Sequence, residues 1–344
     1  MSSLLEVRDL EVRFRVKSQL HSLLKPSSNA FIEAVAGVSF SLGAGETMGL
    51  VGESGSGKTT LARAIIGLVP ASNGSVRFEG EEIAGLSNQA MKPIRRDIAM
   101  MFQDPVGSLS PRLTIRSLIT EPYRIHGLGQ KDLDAESRRL LSLVGLPTEF
   151  GDRYPHQLSG GQARRVGVAR ALALDPKLIL ADEPTTGLDV SVQGEILNLL
   201  ARLQDDTGVA ILMVTHNLNV VRHVSDKVAI MYLGRFVETG PTDDIFQGPR
   251  HPYTAALLAA NPEPDPDARL SRIELSGDVP SLLDRPPGCE FHTRCFKAQP
   301  RCRVDFPEHT HEEKRRFRCH YPLSEAELQR LHGASDASLH EAVD

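Results

Sequence analysis

A phosphate-binding loop constrains this sequence more than any other feature. The segment Gly52–Thr59 reads GESGSGKT, follows the apolar run Thr47–Val51 and opens a helical pattern from Lys58 to Leu68. Glycines let backbone N–H groups wrap around phosphates, and the N-terminus of the following helix favours their negative charge. A strand, such a loop and a helix in this order predict a nucleotide-binding α/β fold with a largely parallel sheet.

The side chains of this loop match the chemistry of nucleotide binding. The Lys58 ammonium can reach the β- and γ-phosphates, and the Thr59 hydroxyl can bind Mg²⁺. The residues that we expect to contact the nucleotide are Gly52, Ser54, Gly55, Ser56, Gly57, Lys58, Thr59 and Thr60. A glycine-rich turn without function is the alternative, and the strand, the helix and the Lys-Thr pair together argue against it.

A second apolar run, Leu178–Ala181, ends in two acidic residues. We expect Asp182 to complete the Mg²⁺ shell from the end of a strand, and Glu183 to orient or deprotonate the attacking water. Taken alone, this pair is more typical of solvated acids at a strand end, so the assignment depends on the phosphate loop. Together the two motifs predict a phosphate-loop NTPase.

A third motif narrows the class of NTPase. The segment Leu158–Gln162 reads LSGGQ, and its adjacent glycines before a helical pattern form a second anion cradle in the same chain. It resembles the signature of ATP-binding cassette (ABC) ATPases, in which two cassettes pair head to tail and the signature of one covers the nucleotide of the other. The signature residues are Leu158, Ser159, Gly160, Gly161 and Gln162. The resemblance implies an α/β fold with a phosphate-loop (RecA-like) core, an antiparallel β subdomain and a helical signature subdomain.

The remaining motifs of that family follow along the chain. Gln103 resembles the Q-loop glutamine, which acts in Mg²⁺ binding and catalysis, and Asp189 resembles the D-loop aspartate. His216 resembles the switch histidine that contacts the γ-phosphate, a role that only the family gives it. Phe14 is either the aromatic residue that stacks on adenine or a buried strand residue.

Four further segments indicate which group of ABC ATPases the chain resembles. Phe102–Pro105, Arg153–Gln157, His251–Leu257 and Gly288–Cys295 are similar to ATP-binding subunits of oligopeptide/dipeptide importers. The resemblance implies a peripheral subunit at the cytoplasmic face of the inner membrane that hydrolyses ATP with Mg²⁺ to drive uptake of peptides or related small solutes. It implies as partners two membrane permeases, a second ABC ATPase subunit and, indirectly, an extracytoplasmic solute-binding protein.

The charge composition of the chain helps to decide between an importer subunit and a protein that acts on nucleic acid. With 39 Lys and Arg residues against 44 Asp and Glu, the net charge is −5, so we expect no nucleic-acid partner. A soluble ABC ATPase that acts on DNA or ribosomes is the alternative function, but such proteins usually carry two cassettes or a long coiled-coil insertion.

No apolar run approaches the ~20 residues that span a bilayer. The segment Met1–Arg8 lacks the basic and apolar parts of a signal peptide, so we expect a cytosolic chain.

We expect three regions along the chain. Residues 1–248 form the ABC nucleotide-binding domain, with a helical subdomain at about 104–170. Residues 249–323 form an importer-type C-terminal extension, and residues 324–344 form a tail. The proline-rich segment Asn261–Asp267 is typical of a stiff linker or a boundary.

All four cysteines lie in the extension, and the first 288 residues contain none. They are Cys289, Cys295, Cys302 and Cys319. In a reducing compartment this clustering favours a metal site over disulfides, and the chemistry alone leaves structural zinc, an iron–sulfur cluster and plain buried thiols open. The importer resemblance implies a structural [4Fe–4S] cluster, with zinc as the alternative. We also expect this site and the phosphate loop to be separate modules, so that Cys295→Ala leaves ATP binding intact.

Overall fold

A computed structural model of the chain describes residues 3–15, 31–102, 107, 109–129, 132–260, 273, 275 and 277–333. The strands within these residues are β1 (Leu5–Arg15), β2 (Phe31–Leu42), β3 (Thr47–Val51), β4 (Asn73–Phe78), β5 (Glu81–Glu82), β6 (Ile98–Met101), β7 (Leu178–Asp182), β8 (Ala210–Thr215), β9 (Lys227–Tyr232), β10 (Arg235–Pro241), β11 (Thr310–Glu312) and β12 (Arg315–Phe317). The α-helices are α1 (Lys58–Ile65), α2 (Asn88–Asp97), α3 (Ile115–Ile119), α4 (Glu121–Ile125), α5 (Leu133–Leu143), α6 (Gly160–Ala171), α7 (Val190–Thr207), α8 (Leu218–Val224), α9 (Thr242–Gln247), α10 (Pro252–Ala260) and α11 (Glu325–Gly333).

The larger sheet carries the nucleotide-binding core. Its strand order is β11-β12-β10-β9-β3-β8-β7-β6, and the strands from β9 to β6 run parallel. Every residue of β3, β7 and β8 is buried, which explains why these strands read as nearly unbroken apolar runs. Because parallel strands end at the same edge of a sheet, the residues that follow β3, β7 and β8 converge there.

A smaller antiparallel sheet, in the order β2-β1-β4-β5, covers one side of this core. Its buried side chains share an apolar cluster with α1 and the larger sheet, which includes Leu5, Val35, Leu50 and Leu61. The predicted fold class, a RecA-like core with an antiparallel β subdomain, is confirmed. The helix after the phosphate loop is shorter than its sequence pattern, because Gly67 adopts a left-handed conformation (φ 67°) just beyond its end.

The helices between β6 and β7 form the signature subdomain. Here α3, α5 and α6 pack around Ile115, Leu140 and Val166. Proline residues divide the region into short helices, since Pro122 lies in the first turn of α4 and Pro155 opens a 3₁₀ turn before α6. None of the helices in the described ranges is both long and apolar enough to cross a membrane.

The C-terminal extension joins the larger sheet. β12 pairs antiparallel with β10, where Glu238 faces Phe317, and β11 pairs with β12. The sequence pattern does not indicate these two strands, because a three-residue strand is too short to show an alternating pattern. Backbone hydrogen bonds therefore cross the boundary predicted at residue 248.

Candidate functional site

The phosphate loop connects the end of β3 to the first turn of α1. Gly57 has a φ of 104°, which favours glycine, and a Cβ atom there would collide with the carbonyl oxygen of Ala34. A Cβ atom at Gly52 would collide with the carbonyl oxygen of Met231 in β9. These two glycines are therefore required by the neighbouring backbone as well as by the shape of the loop.

The Lys58 ammonium is docked on the loop itself. Its Nζ donates to the carbonyl oxygens of Gly52 at 2.7 Å and Glu53 at 2.9 Å, and to Ser56 Oγ at 3.2 Å. Burial lowers the pKa of Lys58, although nearby carboxylates oppose this effect. A phosphate bound in the loop would give this buried cation the charged partner that stabilises it.

Asp182, the last residue of β7, lies against the first turn of α1. Thr59 Oγ1 donates to Asp182 Oδ1 at 3.0 Å, and burial raises the pKa of Asp182 despite this hydrogen bond. The other carboxylate oxygen, Oδ2, is buried and has no hydrogen-bond partner among the described residues. An unpaired carboxylate oxygen beside a hydroxyl group is an oxygen donor set that Mg²⁺ accepts, so the two residues fit the predicted ion.

Glu183 follows Asp182 in a left-handed backbone conformation (φ 49°) that directs its carboxylate towards two side chains. Thr186 Oγ1 donates to Oε2 at 2.7 Å, and His216 Nδ1, just after β8, lies 3.1 Å from Oε1. Burial by itself raises the pKa of Glu183, but these two contacts outweigh it and the pKa is lowered. Glu183 is thus an oriented and ionised carboxylate, with His216 exposed beside it.

One buried residue of this region was not identified from the sequence. Arg164 of α6 is 8% exposed and donates to the carbonyl oxygens of Glu183 at 3.3 Å, Pro184 at 2.5 Å and Thr186. Arg164 therefore connects α6, the helix that begins within the signature, to the loop that follows β7. The adjacent Arg165 looks equivalent in the sequence, so only the tertiary structure distinguishes the two.

The signature residues begin α6 and are held by a capping box. Ser159 Oγ accepts the Gln162 N–H at 3.3 Å, and Gln162 Oε1 accepts the Ser159 N–H at 3.0 Å. Ser159 and Gly160 are exposed, whereas Gly161 packs so closely on Val192 that a Cβ atom would lie 2.8 Å from its side chain. The helix N-terminus is therefore presented at the surface in a fixed conformation.

The signature and the D-loop aspartate share one cavity of about 570 Å³. Among the residues that line it are Ser159, Gly160, Gly161, Gln162 and Asp189. No phosphate-loop residue is among the described residues that line this cavity. The chain's own phosphate loop thus does not complete the signature surface. Leu158, the first signature residue, instead packs against the apolar core of the helical subdomain.

Of two further residues predicted to act at the nucleotide, the structure describes Phe14 but not Gln103. Phe14 lies in β1 with 42% of its surface exposed, so the alternative of a buried strand residue is wrong. Stacking of Phe14 on adenine stays a prediction. Gln103 follows the exposed Phe102 and lies outside the described residues, so its predicted roles stay predictions too.

The four cysteine side chains converge on one small cavity in the extension. Cys289, Cys295, Cys302 and Cys319 all line it, and all four thiols are free. Burial, reinforced by the neighbouring thiols, raises the pKa of Cys289 to about 11 and that of Cys319 to about 12. Among the described residues, no group of three or more His, Cys, Asp or Glu side chains is arranged to hold a metal ion. The structure thus brings the four thiols together in one cavity, and the predicted iron–sulfur or zinc site stays a prediction.

The segment that carries the four cysteines, residues 289–319 (the cysteine segment), contacts the phosphate loop directly. The guanidinium of Arg294, the residue before Cys295, donates to both carboxylate oxygens of Glu53 at 2.7 and 3.0 Å. Tyr253 of α10 accepts the Glu53 N–H at 3.0 Å. The expectation that the two regions are separate modules is therefore wrong. No local pattern could have revealed contacts between residues so distant in the chain.

Comparison with known proteins covers most of the chain. Residues 35–186 match the ABC transporter family, and residues 237–302 match the C-terminal region of oligopeptide/dipeptide transporters. The chain is 46% identical to the oligopeptide transport ATP-binding protein OppF of Salmonella typhimurium, over 87% of this chain and 90% of that protein. It is 42% identical to the di/tripeptide transport ATP-binding protein DppF of Pseudomonas aeruginosa, over 93% of this chain and 98% of that protein.

Solved structures agree with this assignment. The dimeric ATP-binding cassette MJ0796, in a post-hydrolysis state bound to ADP and Pi, has a TM-score of 0.61 at 28% identity and covers 69% of this chain and 98% of that chain. CbiO1 of Clostridium perfringens, part of the ABC transporter complex cbiONQ, has a TM-score of 0.61 at 26% identity, over 72% of this chain and 92% of that chain. The chain therefore belongs to the ABC transporter family, as an ATPase of the oligopeptide/dipeptide transport type.

Proposed function

We propose that this chain hydrolyses ATP to drive the uptake of peptides or related small solutes, as a peripheral subunit beneath membrane permeases at the cytoplasmic face of the inner membrane. One observation carries the proposal: the similarity to oligopeptide transport ATP-binding proteins runs through both the cassette and the C-terminal region, residues 237–302. The phosphate loop alone would support ATP hydrolysis without a transport role, because ABC cassettes serve many processes.

In this proposal the loop between β3 and α1 binds the phosphates of ATP. The backbone N–H groups of residues 54–60 and the Lys58 ammonium offset the charge of the β- and γ-phosphates, and Phe14 stacks on adenine. Thr59, Asp182 and Gln103 hold Mg²⁺, which supplies further charge neutralisation at the phosphates. The unpaired Asp182 Oδ2 and the docked Lys58 support these roles.

The chemical step uses the residues after β7 and β8. Glu183 orients a water molecule and accepts its proton as the water oxygen bonds to the γ-phosphorus and the bond to ADP breaks. His216 contacts the γ-phosphate from the neighbouring strand end. The contacts of Glu183 with Thr186 and His216 support these roles, because they hold the carboxylate ionised and in one orientation.

A second cassette, identical or similar, completes each nucleotide site. The exposed N–H groups at the start of α6, near Ser159 and Gly160, would cover the γ-phosphate bound by the partner, with Asp189 beside them. The support is that the signature surface is open and is lined by no phosphate-loop residue among those described. The cassette MJ0796 is dimeric in its solved structure, which supports the pairing of two cassettes.

The permeases dock in a groove of about 230 Å³ between β6 and the helical subdomain. Its lining combines exposed apolar residues, Phe102 and Ile125, with arginines that include Arg95 and Arg170. Phe102, which lines the groove, immediately precedes Gln103 in the sequence, so the proposed link between nucleotide binding and this surface is a short one along the chain. Apolar anchors with a basic rim suit a short helix from the permease that carries apolar and acidic side chains.

Replacement of Ile125 tests the transport role at this groove. Ile125 is 54% exposed, so Ile125→Asp should leave the fold intact and place an unpaired charge in the interface. When the chain is co-expressed with its permeases and extracted in mild detergent, we expect its recovery with them to fall about tenfold or more. ATPase activity of the isolated subunit should change less than about twofold. Val304→Asp, at a residue 76% exposed in the extension, is the matched control and should co-purify like the wild type.

Two outcomes would contradict the transport role. One is recovery in the membrane fraction without any permease, or equal recovery of the Ile125 and Val304 variants with the permeases. The other is stable co-purification with ribosomes or DNA, which would favour a soluble ABC ATPase instead.

We also propose that the four cysteines bind a structural metal group, with [4Fe–4S] as the first choice and zinc as the alternative. The convergence of all four thiols on one cavity supports this, since four Cys thiolates are the ligand set of such clusters and of many zinc sites. A bound cation would offset the raised thiol pKa values by stabilising the thiolate forms.

Metal analysis tests this second proposal. Protein purified without oxygen should be brown and contain about four iron and four sulfide ions per chain. Cys319→Ser should lose both iron and colour. Colourless protein with stoichiometric zinc would replace the cluster by zinc, and protein with neither metal would overturn the proposal.

A further inference from the structure

Glu53, in the phosphate loop, is held by two residues of the C-terminal extension. Arg294 makes two parallel hydrogen bonds to its carboxylate, at 2.7 and 3.0 Å, and this bidentate geometry fixes orientation as well as distance. The Arg294 side chain is 6% exposed and that of Glu53 is 26% exposed, so solvent screens the pair only partly. Tyr253, which is fully buried, accepts the Glu53 N–H at 3.0 Å.

Arg294 and Tyr253, the two residues that hold Glu53, are supported by one packed aromatic cluster. Phe291 is buried, and its ring lies 5.3 Å from that of Tyr232 and 5.2 Å from that of Tyr253, between centroids. The Arg294 N–H donates to the Phe291 carbonyl oxygen at 3.0 Å. The guanidinium therefore projects from a rigid support, and its burial is offset by the charge of Glu53.

Glu53, which the extension holds, also accepts a hydrogen bond from Lys58, the proposed phosphate-binding lysine. The Glu53 carbonyl oxygen accepts hydrogen bonds from Lys58 Nζ at 2.9 Å and from the Ser56 N–H at 3.2 Å. The extension thus fixes the N–H and the carboxylate of Glu53, and the loop fixes its carbonyl group. A rotation of this peptide unit would displace the Lys58 ammonium from its resting position.

We infer that Arg294 and Tyr253 are positioning residues of the nucleotide site: through Glu53, the cysteine-bearing extension preorganises the phosphate loop for ATP. The inference rests on the proposed role of Lys58 in phosphate binding. Preorganisation strengthens binding because the loop need not be ordered when ATP arrives. Since Arg294 precedes Cys295, any change in the fold of the cysteine segment reaches the phosphate loop through this contact.

Removal of the guanidinium tests the inference in the full-length protein. For Arg294→Gln we expect the Kd and the KM for MgATP to rise about tenfold, while kcat at saturating MgATP changes less than about twofold. Arg294→Lys keeps the charge but loses the bidentate geometry, so it should restore part of the affinity. Arg301→Gln is the matched control, because Arg301 lies in the same segment, is 60% exposed and pairs only with Asp305 among the contacts described.

A double-mutant cycle separates positioning from a general structural effect. Glu53→Gln approaches the same contact from the loop side, and we expect its Kd to rise by a similar factor. If the two residues act as a pair, Arg294→Gln combined with Glu53→Gln should bind MgATP about as tightly as the weaker single variant. Multiplied losses would show independent effects and overturn the inference.

The failure of this inference is distinguishable from that of the proposed function. Unchanged MgATP affinity in Arg294→Gln or Glu53→Gln, with normal binding by the wild type, would overturn the positioning role alone. If the Arg294 variants do not fold, the Glu53→Gln measurement decides the question by itself. Absence of MgATP binding by the wild type would overturn the nucleotide site, whatever the extension does.

Discussion

Steady-state ATPase activity should fall by about 100-fold or more in Glu183→Gln, while the affinity for MgATP stays within about threefold of the wild type. The amide keeps the shape of the side chain and can still contact Thr186 and His216, but it cannot accept a proton from water. The lowered pKa of Glu183 means that the wild-type carboxylate is ionised at neutral pH and available as an acceptor. Phosphate release and MgATP titration on the same preparation measure both quantities.

The same variant should accumulate a closed dimer, because ATP holds the two cassettes together until it is hydrolysed. Size-exclusion chromatography with MgATP should show a dimer for Glu183→Gln and mostly monomer with MgADP. Glu81→Gln, an exposed carboxylate on β5, serves as the control and should hydrolyse ATP normally. Wild-type turnover in Glu183→Gln would reject Glu183 as the base.

Lys58→Ala should instead weaken nucleotide binding itself. Truncating one partner of a buried charge pair costs about 2–5 kcal/mol, so the Kd for MgATP should rise by about 30-fold or more. The Gly52 and Glu53 carbonyl oxygens lose a donor in the same variant, which loosens the loop. Calorimetric titration with MgATP measures the change.

Lys92→Ala, which removes an exposed cation from α2, is the control for Lys58→Ala. It should bind MgATP like the wild type. Full affinity in Lys58→Ala would reject the phosphate-loop assignment. The two variants together separate the residue that binds the phosphates from the residue that acts on water, because only Glu183→Gln retains binding.

Features that depend on neighbouring residues were predictable from the sequence. The buried strand β3 matches the predicted strand Thr47–Val51 residue for residue, because a strand covered on both faces needs mostly apolar side chains. The capping box at Ser159 and Gln162 and the glycines of the phosphate loop act within a few residues of one another. Such local constraints leave a readable pattern.

Features that depend on distant partners were not predictable. The strands β11 and β12 are defined by pairing with β10 rather than by their own residues. Arg164 and Arg165 are indistinguishable in the sequence, yet only Arg164 holds the loop around Glu183. The exposure of Phe14 in β1 likewise depends on what packs on that strand, so the sequence left both alternatives open.

The sequence by itself determined which chemical groups this protein has: a lysine in a phosphate loop, two carboxylates after a buried strand, a signature helix and four clustered cysteines. Only the tertiary structure decided which of them meet. Parallel strand ends bring Asp182 and Glu183 to the phosphate loop, and the extension folds back so that Arg294 reaches Glu53. The physical reason is that local backbone and side-chain preferences act over a few residues, whereas sheet pairing and burial of apolar surface join segments far apart in the chain.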